Sequence, residues 1–159
     1  MKVTIISILS IVFGAIILVA FPNNTYDSFK VACNSKDYAT RVFCLTNDYR
    51  QSKNKTPLIY SPELVEVSRS KSEDMCKNKY FSHDYNGRSW TYFINESPLK
   101  YNPAGENLAK GFTIPLNAVQ ALIKSPGHEA NLSGDYTHLG VYTEYCNGLN
   151  LTTQTFVKL

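Results

Sequence analysis

Gly105-Glu106-Asn107-Leu108-Ala109-Lys110-Gly111 sets one carboxylate and one amide between two glycines, ahead of a small apolar pair. The stretch reads as a strand or extended segment, and it gains chemical meaning only with partners from elsewhere in the chain. Two stand out: His83 ends the run Tyr80-Phe81-Ser82-His83, and His128 ends Ser125-Pro126-Gly127-His128. A fold that gathers these three segments would set two imidazoles against one carboxylate.

Upstream, Ala39, Val42, Phe43, Leu45 and Tyr49 recur at three- and four-residue spacing, which predicts a helix with one buried face, ended by Lys53 to Pro57. Ser61 is a good N-cap for a second helix, with Pro62 suited to its first position and Glu63 complementing its positive end. Leu64, Ser68, Ser72, Met75 and Cys76 form a narrow stripe of apolar and small residues, which implies close packing on a neighbour, and His83 falls just past the helix end. A turn over Asp84 to Gly87 leads to a short helix over Arg88 to Ile94 that buries Trp90, and Pro98 and Pro103 frame an irregular loop. Downstream, Pro115 to Lys124 reads as a helix with Leu116, Val119, Leu122 and Ile123 on one side, and Ser125-Pro126-Gly127 stops it. Strands near His138 to Tyr145 and Leu151 to Val157, joined by Cys146-Asn147-Gly148, close the chain. His138 reads as a surface residue. The order predicts a layered α+β domain.

A chain of 159 residues is long enough for one domain with a proper core and too short for two once its first stretch is set aside. The net charge of +3 is spread thinly. Arg50, Lys53, Lys55, Arg69, Lys71, Lys77 and Lys79 interleave with Glu63, Glu66, Glu73 and Asp74 in the pattern of a solvated helix face, which argues against a nucleic-acid partner. Val3 to Phe21 is an apolar run broken by Pro22-Asn23-Asn24, so residues 1–21 read as an export signal, either a cleaved signal peptide or a membrane anchor if uncleaved. Residues 22–38 then form a linker or arm and residues 39–159 the domain, placed outside the cell or on its surface. Export gives Cys33, Cys44, Cys76 and Cys146 an oxidising setting that favours disulfides, with three connectivities open and buried free thiols as the alternative. In one pairing Cys33–Cys44 ties the arm to the first helix and Cys76–Cys146 joins the second helix to a late strand.

Read in order, Asn47 and Arg50, Pro57-Leu58, Leu64 and Met75, Tyr80-Phe81-Ser82-His83, Gly105-Glu106-Asn107-Leu108-Ala109, Ser125-Pro126-Gly127-His128 with Asn131, Leu139-Gly140-Val141, and Thr153-Gln154 with Phe156 resemble the CAP superfamily. That superfamily takes in cysteine-rich secretory proteins, antigen 5, plant pathogenesis-related proteins and bacterial SCP-like extracellular proteins. The S-P-G-H form and the compact spacing from Glu106 to His128 look like the bacterial branch. The resemblance implies a three-layered α-β-α sandwich with a central cleft, where His83, Glu106 and His128 match the family's two histidines and first glutamate, with Asn107 and Asn131 beside them. The family's second glutamate has no counterpart over Leu122 to Ser125. The bacterial motif also has Trp where this chain has Leu122 and a basic residue where it has Glu129, so an altered cleft rim is expected.

Two imidazoles and a carboxylate suit zinc or another borderline divalent ion, with one position left for water. Against hydrolysis, no second carboxylate is available as a base. The run from His128 to Leu132 also lacks the second histidine of a zincin, Pro126 and Gly127 argue against a helix there, and no Gly-x-Ser-x-Gly elbow occurs. A hydrogen-bond network that ties three segments together is the structural alternative. Two functions from different classes follow. One, implied by the resemblance, is a non-enzymatic extracellular binding module for a lipid, sterol, cell-envelope or host ligand, with Phe112, Ile114 and tyrosines as groove candidates. The other is a metal-dependent extracellular hydrolase in the same cleft.

Overall fold

The computed structural model describes residues 33–159, so the expected export segment and most of the expected arm lie outside the described residues. The first helix, α1 (Tyr38–Ser52), opens on Asp37, whose carboxylate accepts from the Thr40 amide, and buries Val42, Phe43 and Cys44. After a two-residue strand, β1 (Ile59–Tyr60), comes α2 (Pro62–Lys77). Ser61 caps it as the sequence predicts, its hydroxyl accepting from the Leu64 amide at 3.2 Å, a contact that stabilises a helix by about 1 kcal/mol. A short α3 (Tyr92–Asn95) and β2 (Ala104–Lys110) follow, then α4 (Pro115–Ile123), α5 (Pro126–Leu132), and the hairpin of β3 (His138–Cys146) and β4 (Leu149–Val157). Asn147 and Gly148, both at positive φ, make its two-residue turn.

The sheet order is β1-β3-β4-β2, with β1 parallel to β3 and the other pairs antiparallel. Alternation along the strands divides the core into layers. Val42, Phe43, Ala118, Val119, Leu122 and Leu132 from α1, α4 and α5 pack with Leu139, Val141 and Phe156 on one face. Leu64 and Val67 of α2 join Ile94 and Val157 on the other, and Met75 joins Leu108 and Leu151. This is the expected α-β-α sandwich.

The small-residue stripe on α2 has a specific cause. A Cβ on Gly140 would lie 2.1 Å from the backbone carbon of Leu64, so α2 meets β3 almost backbone to backbone. Ser68 and Ser72 then reach across to the Thr155 and Thr153 hydroxyls at 2.8 Å each. Both disulfides follow the pairing Cys33–Cys44 and Cys76–Cys146, and no free cysteine remains among the described residues.

Four local expectations are corrected. Pro126 and Gly127 do not prevent a helix: Pro126 occupies the first position of α5, where its missing N–H has no helical partner to lose. Trp90 is only half-buried and precedes α3, which is shorter than the sequence suggested. Leu116 faces solvent while Ala118 takes its place in the core. The charges read as a solvated face include two that are not: Arg50 and Lys71 are each 2 % exposed. Arg50 donates to the carbonyls of Thr56, Leu132 and Gly134, which ties α1 to the end of α5.

Candidate functional site

The site forms around β2, an end strand of the sheet. Alternation sends Glu106 toward the α2 layer and Asn107 toward the α1 layer. Asn107 is wholly buried and donates to the Gln154 side chain, which in turn donates to the Thr46 hydroxyl of α1. Asn107 also donates to the backbone carbonyl of His128, at 3.1 Å. Asn131 donates to the Glu106 carbonyl at 3.0 Å and to Asn107 Oδ1 at 2.9 Å. These two amides therefore hold α5 against the strand. A Cβ on Gly105 would come within 2.7 Å of Asn131 Oδ1 and 2.5 Å of the Tyr136 hydroxyl, which is why glycine stands there.

His83 arrives from the loop after α2, and that loop is braced. Tyr80 stacks on Tyr85 with centroids 3.8 Å apart, and Asp74 accepts from both the Tyr80 hydroxyl at 2.6 Å and Arg88 at 2.7 Å. Burial and the bond to Asp74 push the Tyr80 phenol far up, so it stays a donor. Lys71 Nζ donates to the His83 backbone carbonyl at 2.5 Å. Burial lowers the Lys71 pKa, against the pull of Glu106, Asp74 and Asp84.

The His83 ring then meets the carboxylate. Its Nδ1 is hydrogen-bonded to Glu106 Oε1 at 2.8 Å, joining a side chain 45 % exposed to one only 6 % exposed. Burial raises the Glu106 pKa, outweighing the His83 hydrogen bond and the Lys71 charge that lower it. His128, from α5, lies with its ring centroid 6.0 Å from that of His83, tilted by 40°. Burial lowers its pKa, and the nearby His83 lowers it further. The structure thus brings His83, Glu106 and His128 together at one edge, with Asn107 and Asn131 beneath them.

Sequence reasoning missed two residues here. Lys71 sits three residues after Ser68 and seven after Leu64, on the buried stripe itself, but its charge assigned it to solvent. Ser125 was read as a turn residue only. It occupies the N-cap of α5 yet makes no capping bond, and its hydroxyl is hydrogen-bonded to His128 Nδ1 at 2.9 Å instead. His83 thus has a carboxylate partner and His128 a neutral hydroxyl. Glu129 lies away from the rim, accepting from the Tyr49 hydroxyl at 2.7 Å.

The donor set bears on the metal expected from the resemblance. Among the described residues, no three His, Cys, Asp or Glu side chains form a group able to hold a metal ion. Nδ1 of His83 is bonded to Glu106 and Nδ1 of His128 to Ser125, so each ring keeps Nε2 for a ligand, and the described residues offer zinc two imidazole nitrogens with no third grouped ligand.

The comparisons with known proteins agree with this architecture. The chain is 36% identical over 126 residues to the Bacillus subtilis protein YkwD, a match covering 76% of this chain and 47% of that one. An extracellular protein of Bacillus anthracis containing a SCP domain superposes with a TM-score of 0.71 at 29% identity, over 77% of this chain and 40% of that one. An outer surface protein of Borrelia burgdorferi shares the fold, with a TM-score of 0.72 at 20% identity, over 79% of this chain and 95% of that one. The chain therefore matches less than half the length of the Bacillus relatives. The sequence profile of the cysteine-rich secretory protein family, CAP, covers residues 43–157, and the chain belongs to that family.

Proposed function

We propose that this protein is an extracellular or cell-surface binding module and not an enzyme, with the edge cleft of His83, Glu106 and His128 receiving a lipid, sterol or cell-envelope ligand. The observation that carries this reading is the state of Glu106. It is buried, and its Oε1 is taken by Nδ1 of His83, whose ring lies beside that of His128. A hydrolase would use a carboxylate as base within reach of water, whereas a buried, paired carboxylate holds a ring in place. The half-exposed His83 ring, with His128 beside it, is then a surface for a polar ligand group. The two disulfides suit an oxidising compartment and support a place outside the cell.

Native mass spectrometry of the exported protein, purified without chelators beside His83→Ala and His128→Ala, tests this. A retained ligand adduct lost in both variants is the expected result. Identical adducts on all three proteins would move the ligand elsewhere and overturn the cleft reading.

A further inference from the structure

A cavity separate from the histidine cleft has a volume of about 270 Å³ and lies where the start of α1 meets β1, α2 and β3. Val65 and Val141 give its lining an apolar part, and the tyrosines Tyr38, Tyr60 and Tyr142 an aromatic one. Polar groups line the rest: Asp37, Thr40, Thr143 and Asn150. None of the cleft residues is among them.

We infer that this groove is a second ligand site, and that it takes a neutral saccharide. The chemistry of the lining selects among ligand classes. An anion is disfavoured, because no Lys, Arg or His lines the groove, while Asp37 does and already satisfies the Thr40 amide at the start of α1. An organic cation is disfavoured at the Tyr142 ring, because the Arg69 guanidinium already lies 4.8 Å over it. An acyl chain is disfavoured, because the Tyr60 and Thr40 hydroxyls would lose water without gaining partners.

A sugar ring answers both halves of the lining. Its C–H face needs a rigid aromatic plate, and Tyr60 supplies one: it is 49% exposed, yet held edge-on against Phe43 with centroids 5.6 Å apart. A tyrosine fixed in this way contributes contact area at little cost in side-chain entropy. Among the described residues the Tyr60 and Thr40 hydroxyls have no hydrogen-bond partner, so both are available to ring hydroxyls. The volume lies just below the usual range for small-molecule pockets, which fits one or two sugar units.

The test is a titration followed by NMR on the uniformly ¹⁵N-labelled exported protein, with triacetylchitotriose and maltotriose as neutral probes, choline as a cationic one and inorganic phosphate as an anionic one. At least one saccharide is expected to shift the amides of residues 37–40 and 141–143 saturably, with Kd about millimolar, as shallow sites of this size give. Tyr60→Ala should weaken that binding about tenfold by removing the aromatic plate. His83→Ala should leave it unchanged, which separates this site from the cleft. The inference is overturned if neither saccharide shifts these amides, if choline or phosphate does so in their place, or if Tyr60→Ala binds as tightly as the native protein. A failure of the cleft reading would leave these shifts in place.

Discussion

His83 Nδ1 lies 2.8 Å from Glu106 Oε1, and this one bond joins the loop after α2 to the end strand of the sheet. Burial holds the Glu106 pKa above its ordinary value of 4.5, so the native fold favours the protonated acid more than the unfolded chain does. The sign follows from proton binding. Between the unfolded pKa and the raised folded one the native state holds more protons, so the contribution is full below about 4.5 and is lost as pH rises through the folded pKa. Glu106→Gln removes this dependence. Urea denaturation from pH 4 to 8 should show the variant gaining stability relative to the native protein as pH rises, with the gap flat at the top of the range. A constant gap at every pH would contradict the shift.

His128 gives the opposite sign. Its lowered pKa means that the unfolded chain takes up a proton first, so stability is present above about 6.5 and falls as pH drops through the folded pKa. In His128→Gln that acid-side loss should shrink, measured by the same urea series against the native protein.

Ser125 fixes which way His128 faces. In Ser125→Ala the imidazole loses its hydrogen bond to the Ser125 hydroxyl, and long-range ¹⁵N–¹H correlation spectra should change from one dominant tautomer to a mixture. Ser125→Thr keeps a hydroxyl and should restore the native spectrum. An unchanged spectrum in the alanine variant would show that other contacts orient the ring.

Gly140→Ala should be among the most damaging single substitutions, because the added carbon meets the Leu64 backbone, which no rotamer change can relieve. Overpacking of that kind costs about 3 kcal/mol or more, read as a lowered urea midpoint or loss of folded protein.

The disulfides should differ in weight. Cys76–Cys146 closes a loop of 70 residues and Cys33–Cys44 one of 11. Chain entropy then predicts about 4 kcal/mol for the first and about 3 for the second, measured by urea denaturation of the paired serine variants. Equal losses would show that factors other than loop length dominate.

How much of this was legible in the sequence depended on whether the signal was local. The Ser61-Pro62 start of α2 and the Asn147-Gly148 turn were readable because capping and positive φ are demands of a few neighbouring residues. His83, Glu106 and His128 were readable as candidates through their motifs, and the structure puts them together. Lys71 and Arg50 were hidden because a charge is ordinarily assigned to solvent, while carbonyls far away in sequence are what satisfy Arg50 and the His83 carbonyl is what receives Lys71. The two-residue strand β1 is stabilised by pairing with β3, about eighty residues later, and carries no periodicity of its own. Ser125 was ambiguous for a different reason. The same residue type caps helices and orients imidazoles, and only the position of the ring decides between them.

The proposed binding role of the cleft turns on the pairing of Glu106 with His83 and on the lack of a third metal ligand among the described residues. Calorimetric titration of zinc into the chelator-treated exported protein tests this most directly, with His83→Ala and His128→Ala alongside. The account predicts no stoichiometric zinc complex tighter than about micromolar, since two imidazoles without a third protein ligand hold zinc weakly. One zinc per chain bound well below micromolar, with proton release and loss in both variants, would contradict it and restore the hydrolase reading.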